Sequence, residues 1–456
     1  MAISSNQLPD YYDPNDPYVP PSGGVSYKFG TWRWRFGSFS QRRGWPQCGV
    51  VYNERLIVAK DSTLYGSVVG DFTDFSTYNE VGEISADMAF IHTIKDPNGI
   101  LNLDAGNDLL AMTPSGPFAI LQRNPAEAFG PGNVRSVRQN SEGASDAPMA
   151  DIDGRTIYIG KSRRRVIELE YEAGRNRQTP IDLSRYARHI GKPRFLDLVS
   201  QKDPNRLFWT RRGDGTLSVA VYNPDEQALG WATRPMAEGC AVASIAGITD
   251  PMGELDQLWA AVTFRGSWHI CRLDQLRQED DDDDPAMTDM AAVYEGSPAS
   301  TFGPVPWLSG LTIQVQGDDA AYDGVQVDGA GMFTLPNPHS RVIAGLPFPC
   351  RFTTLPLEAG GDNGPAMGKV KRFSRFLINV LKTRGLRVTA QGAPPVTLEQ
   401  LTADSVTNAG FVPDTGLLVT EDVGTDDIMG QVTVERYLPQ GATIRAIQPT
   451  ADVSQR

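Results

Sequence analysis

Short runs of apolar or alternating residues, broken by glycine, proline, asparagine and aspartate, recur along most of the chain. Residues 206–231 show the pattern most plainly. Leu207, Phe208, Trp209 and Thr210 predict a short strand rich in apolar side chains. Gly213, Asp214 and Gly215 predict a tight turn, because glycine accepts a positive φ without a Cβ clash. Residues 217–222 return as a strand, with Leu217, Val219 and Val221 on one face and Ser218, Ala220 and Tyr222 on the other. Asn223, Pro224 and Asp225 turn the chain again, and Gly230-Trp231 enters a third strand. Three antiparallel strands joined by such turns are most of one propeller blade.

The same grammar runs through residues 46–285. Strands are expected at 48–52 and 55–59 around Asn53, then at 62–68, 70–75, 89–94, 108–112 and 117–121. Further strands are expected at 156–159, 165–169, 196–199, 242–248, 257–262 and 267–273. A spacing of about 8–12 residues between strands points to a sandwich or a propeller. About 240 residues at about 40–45 per blade allow five or six blades. One segment interrupts the series: at 181–190, Leu183, Tyr186 and Ile190 share a helical face, and Gly191 with Pro193 would stop the helix.

Residues 286–456 read as a second β-rich region. Strands are expected at 311–315, 341–344, 351–355 and 432–437, with a hairpin of 324–329 and 331–335 around Asp328. Residues 369–381 are cationic and then apolar. Phe376, Ile378 and Val380 alternate, which predicts a strand over 374–381 with a solvated or partner-facing basic flank. Residues 391–430 read as loops carrying isolated strands, and 449–456 as a tail. At the other end, Pro9, Pro14, Pro17, Pro20 and Pro21 exclude a helix, and Tyr11, Tyr12 and Tyr18 sit among them. Either a disordered tail or an arm lying on a neighbour fits. Trp32, Trp34 and Phe36 then alternate with Arg33 and Arg35, which is strand periodicity. The expected fold is all-β: a β-propeller over 46–285, a second β-rich domain over 286–456, and an extended N-terminal arm and strand over 1–45.

Composition narrows the functions. The chain has 456 residues, a net charge of −13 and 40% hydrophobic residues, enough for a core. The 45 glycines and 33 prolines suit many turns. No run of about 18 apolar residues exists, so no membrane insertion is expected. Residues 1–7 lack the basic and apolar regions of a secretory leader. Cys48, Cys240, Cys271 and Cys350 show no metal-ligand spacing and read as reduced core residues of a protein made in the cytosol. Acidity argues against ordinary nucleic-acid binding, which needs a basic surface, but not against a passage whose walls repel phosphate. The run from Glu279 to Asp284 lacks the spaced oxygens and turn glycine of a calcium loop.

A search for chemistry finds none. His92, His189, His269 and His339 have no histidine or carboxylate at ligand spacing. No nucleophile elbow or phosphate loop is present. Asp214-Gly215-Thr216 lacks the flanking residues of a sialidase turn, and Asp151 and Asp153 suit a turn. The expectation is a non-enzyme with no catalytic, cofactor-binding or metal residues.

Several segments carry a resemblance. Arg55 to Val58, Leu64 to Ser67 and Gly70-Asp71-Phe72-Thr73-Asp74-Phe75 resemble a pattern in the tail nozzle proteins of short-tailed bacteriophages, also called tail tubular protein B. So, in the same order, do 207–231, 254–259, 345–348, 354–358 and 371–388, so that the resemblance spans about residues 45–390. The family implies a virion structural protein: a homohexameric nozzle at the distal end of the tail. It would dock on an adaptor ring, could contact tail fibres, and would hold DNA in its lumen until ejection. Relatives often carry a longer platform before the Gly70-Asp71-Phe72 motif, so the mode of adaptor contact does not carry over. The alternatives are a carbohydrate-binding or glycan-cleaving propeller on a virion surface, and a propeller that binds peptides.

Overall fold

The first hairpin pairs β1 (Cys48–Tyr52) with β2 (Arg55–Lys60) through a two-residue loop. Asn53 and Glu54 both take positive φ, 48° and 57°, the geometry that matches the twist of paired strands. β3 (Thr63–Gly66) and β4 (Phe90–Thr93) complete a four-stranded antiparallel meander, as expected for this stretch. The computed structural model describes residues 38–79, 82–175, 177–253, 255–274, 285–318, 320–358, 360–361, 364–398, 414–421 and 427–454. Most of the expected arm, the aromatic strand at 32–36 and the acidic run at 279–284 lie outside the described residues.

Four more meanders follow in chain order. They are β5 (Asn102–Ala105), β6 (Leu109–Met112), β7 (Phe118–Gln122) and β8 (Val134–Arg138); then β9 (Ala150–Ile152), β10 (Arg155–Ile159), β11 (Val166–Glu172) and β12 (Arg177–Asp182). β13 (Phe195–Gln201), β14 (Leu207–Arg212), β15 (Leu217–Asn223) and β16 (Ala228–Arg234) form the fourth. β17 (Cys240–Thr249), β18 (Asp256–Phe264) and β19 (Ser267–Arg272) form a fifth with three strands. The chain is all-β, and no helix among the described residues is long and apolar enough to cross a membrane.

The chain divides into two compact units, Met1–Lys192 and Pro193–Arg456. In the first, the second meander is the middle layer. Leu109, Ala111 and Ile120 pack with Ile57, Leu64 and Phe90 of the first meander. Leu110, Met112 and Ala119 pack with Tyr158, Ile167 and Leu169 of the third. Successive residues of a strand point to opposite faces, so a strand covered on both faces must be apolar throughout, as β6 is. Each such side chain contributes about 1.5–3 kcal/mol by burial.

Arg55 ties the first meander together from within. Its side chain is fully buried; Nη1 donates to the carbonyls of Ser67 (2.5 Å) and Met88 (2.7 Å), and Nη2 to that of Ala86 (2.6 Å). Gly130 lets the guanidinium and Ala86 approach, since a Cβ there would lie 2.4 Å from the Ala86 oxygen. The segment 70–75, expected as a strand, is instead a loop. Asp71 accepts from the Thr73 amide and hydroxyl, Asp74 from the Ser76 amide, and these local bonds replace a ladder.

The second unit continues with β20 (Asp289–Phe302), β21 (Thr312–Gly317), β22 (Ala320–Gln326) and β23 (Phe333–Leu346), in the sheet order β20-β23-β21-β22. The boundary expected at 285 therefore falls inside a unit. Ala237 and Phe264, before it, share a core with Phe302, Leu308 and Phe333, after it. The expected hairpin around Asp328 is a turn between strands that pair elsewhere, β22 with β21 and β23 with β20. The rest is β24 (Cys350–Thr353), β25 (Gly360–Gly361), β26 (Gly364–Pro365), β27 (Val370–Thr383), β28 (Leu386–Ala390), β29 (Val396–Leu398), β30 (Asp414–Glu421), β31 (Val432–Arg436) and β32 (Thr443–Ser454). Sheets β30-β27-β32 and β24-β31-β28-β29 close on a core that includes Phe376, Ile378, Val388 and Val434.

Three more expectations need correction. No helix forms at 181–190. β12 ends at Asp182, whose carboxylate takes the Ser184 amide and hydroxyl; the chain then makes successive three-residue turns. Leu183 and Ile190 are buried, but Tyr186 is 92% exposed. The basic flank of β27 is not a solvated face throughout, because Lys371 is buried and donates to the Ile428 carbonyl at 2.7 Å. Residues 449–454 are strand rather than tail, held by pairing of β32 with β27.

Replacing Arg55 with lysine leaves one nitrogen to serve three carbonyls that point from different directions. Arg55→Lys is expected to lower stability by about 2–4 kcal/mol in urea unfolding. A loss under about 0.5 kcal/mol would mean that the three bonds are dispensable.

Candidate functional site

A polar arrangement of the second unit lies where the end of β16, the turn at 235–239 and the start of β20 meet. Asp289 is 5% exposed. Its Oδ1 accepts from Arg234 Nη2 at 2.6 Å and its Oδ2 from the Ala237 amide at 2.7 Å. The Arg234 guanidinium stacks on Phe348, 4.5 Å from the ring centroid, and the Arg436 guanidinium lies 5.0 Å from that same centroid. Arg436 Nη1 donates to the carbonyls of Met287 and Leu438. Burial pushes the Arg436 guanidinium below its ordinary value, only partly opposed by Cys350.

A cleft of about 440 Å³ opens beside this joint. Its floor is apolar, with Leu217, Val242, Leu258 and Val262. One wall is β19, the other the start of β20, and Cys271 Sγ meets Met290 Sδ across them at 4.0 Å. Trp307 Nε1 donates to the Met290 carbonyl at 3.0 Å. Burial pushes the Cys240 thiol up to about 11, and raises Cys271 with help from Asp289. Both are thiols rather than thiolates at neutral pH, so they supply no ready nucleophile. The Asp289 carboxylate on the wall is committed to two donors. Over the apolar floor stand the charged and polar side chains of Arg234, His269, Arg272, Asp274 and Asp289.

The histidine search missed one arrangement. His339 Nε2 lies 2.8 Å from the Tyr322 hydroxyl, and Nδ1 lies 3.1 Å from Asp318 Oδ2. The partners are 17 and 21 residues away and arrive through pairing of β21 with β22 and β23, which no local spacing reveals. Gly317 lies flat against the imidazole, where a Cβ would come within 2.7 Å. The line Asp318–His339–Tyr322 pins a turn to β23. Burial raises the Asp318 carboxyl, but bonds from the amides of Arg341 and Ser340 and from His339 outweigh it, and its pKa sits below the ordinary value.

The other singled-out residues do structural work. Asp214 accepts from the Thr216 amide and hydroxyl within its turn. Asp153 has φ +54° ahead of Gly154 in the turn before β10. His92 and His269 lie on strands β4 and β19, and His189 in the turns after β12. Burial raises the Asp104 carboxyl, which accepts from Thr156 Oγ1 at 2.5 Å and lies near Asp151. The four cysteines are free, but none is a fully buried core residue: Cys48, Cys240 and Cys271 are half-buried against a core and Cys350 is exposed. Among the described residues, no group of three His, Cys, Asp or Glu could hold a metal ion.

No family model and no curated protein matches the chain. Solved structures with some likeness include a luciferin-regenerating enzyme, 15% identical over 48% of this chain and 73% of that one, with a TM-score of 0.27. Raptor from Chaetomium thermophilum is 13% identical, over 66% of this chain and 28% of its own, with a TM-score of 0.31. An exo-β-1,3-galactanase from Phanerochaete chrysosporium is 10% identical, over 88% and 96%, with a TM-score of 0.20. These scores are too low to carry an argument about fold or function.

Asp289→Asn removes the charge that Arg234 was buried against. It is expected to cost about 3–5 kcal/mol in urea unfolding; a change below about 1 kcal/mol would show that the joint does not depend on the pair. Asp318, with its lowered pKa, contributes stability that is complete above its unfolded-state pKa of about 4 and is lost as pH falls through the folded value. Urea midpoints between pH 2 and 6 should therefore fall less steeply at the acid end in Asp318→Asn than in the parent, and an unchanged slope would refute the assignment.

Proposed function

We propose that the chain is a structural subunit of a short-tailed phage tail, a nozzle whose copies close into a homohexameric ring around the DNA path. The observation that carries this reading is the run of five antiparallel meanders in strict chain order, each the strand pattern of a propeller blade. Stacked small sheets give a stiff wall without a large interior. The buried Arg55 adds support, because it joins two pieces of the resemblance that are apart in sequence, Arg55 itself and Ser67, while its other bonds go to Ala86 and Met88. A net charge of −13 suits a lumen that lets DNA slide without adhering. In this reading the ring meets an adaptor ring above, binds no cofactor, performs no catalysis, and resides in the virion tail after synthesis in the host cytoplasm.

Negative-stain images and mass photometry of the purified full chain test it. Six-membered rings with an open centre are expected. Monomers at every concentration, together with absence of the chain from purified particles, would overturn the proposal.

A further inference from the structure

Four of the five meanders have four strands, and the fifth, β17-β18-β19, has three. Among the described residues, β19 therefore has a neighbouring strand on one side only, and it displays Trp268 and Ile270, 68% and 72% exposed. β20 is likewise the outermost strand of its sheet. The cleft between them is lined by the consecutive residues 269–273 of one wall and 288–291 of the other. Consecutive strand residues point to opposite faces, so a cleft touching all of them follows the two strand edges, above a floor made by Leu258, Ala260 and Val262 of the β18 face. A free edge presents N–H and C=O groups that template one more strand.

We propose that this slot receives residues 31–36 of a second copy of the chain, segments that lie outside the described residues. Three observations select that occupant. First, Trp32, Trp34 and Phe36 alternate with Arg33 and Arg35, so one side of such a strand is aromatic, as the Trp268 and Ile270 surface requires. Second, the alternating run 32–36, extended by Thr31, spans the length of β19, which has six residues. Third, residues 28–43 carry five cations (Lys28, Arg33, Arg35, Arg42, Arg43) and no acid; with the whole chain at −13, all the rest sums to −18, since −13 − 5 = −18. A basic segment on an acidic protein is drawn to the next copy. A head-to-tail contact of this kind leads from each subunit to its neighbour, which a ring needs. The inference rests on the ring reading only for the number of copies joined.

The test mixes two full-length variants, one carrying Trp34→Cys and the other Ile270→Cys, under mild oxidation. Each variant alone sets the background from the four native thiols. A disulfide joining unlike copies, at least about ten-fold above both backgrounds and above a Trp34→Cys with Val51→Cys pairing, is expected. Trp268→Glu, an exposed change that should leave the thermal midpoint unmoved, is expected to cut the yield at least about five-fold. No mixed disulfide, or a bond formed only inside one chain carrying both substitutions, would overturn the inference. The two proposals fail separately: rings without the mixed disulfide sink the slot alone, and the mixed disulfide in open or two-copy assemblies sinks the hexameric ring alone.

Discussion

The second unit depends on one buried ion pair, Asp289 with Arg234. Taking both charges out of water costs several kcal/mol per ion, and Coulomb attraction recovers that only when the remaining valences are filled. Here they are filled: the second carboxylate oxygen holds the Ala237 amide, and the guanidinium lies on Phe348. Apolar packing is non-directional and would tolerate several angles between the fourth meander and the sheet of β20. The bidentate use of Asp289 admits one. Through Phe348 the same geometry reaches Arg436 on β31, so three sheets are set by a single carboxylate and the ring beside it.

The first unit solves a similar problem with a cation and no carboxylate in contact. Arg55 satisfies three carbonyls of a loop-rich stretch that has few apolar side chains of its own to bury. Around it, the layers are held by alternate faces of the same strands, as β6 packs on both its neighbours. Such stacking makes each sheet a spacer of fixed thickness, about 10 Å from the next.

What the sequence revealed was what is decided locally. The Asn53-Glu54 and Gly213-Asp214-Gly215 turns specify their hairpins through backbone conformation, and β1-β2 and β14-β15 form as read. The meander order was legible because each strand pairs with the next. Pairing at a distance was not: the turn at Asp328 looked like a hairpin, while β23 had its partner in β20, reached only through the fold. Buried charge was equally hidden. Arg55 and Lys371 look like surface residues until the carbonyls they serve are brought over them. The candidate site was invisible for that reason, since Arg234 and Asp289 are 55 residues apart with no motif between them. At β15 the alternation was legible but not which face is covered: Ser218, Ala220 and Tyr222 are buried together with Leu217, and Val221 is exposed. Phe208 and Trp231 make an aromatic cluster beneath that face, which the period alone cannot announce.

Outer edges of sheets are a hazard unless blunted, and the meanders differ in how they are treated. β8 carries Arg135 and Arg138. β12 carries Arg177, and also Pro180, which has no N–H to offer. β4 is only four residues long. β19 has no proline and, like β8, carries an arginine, Arg272, but it places Trp268 and Ile270 in the open and, among the described residues, ends the one meander that lacks a fourth strand. Trp268 and Ile270 are more exposed than any large apolar side chain of β8 or β12, where Val137 and Ile181 reach 38% and 37%. The cheapest physical account is that the edge is covered in the working assembly, because an uncovered apolar edge would otherwise recruit strands indiscriminately.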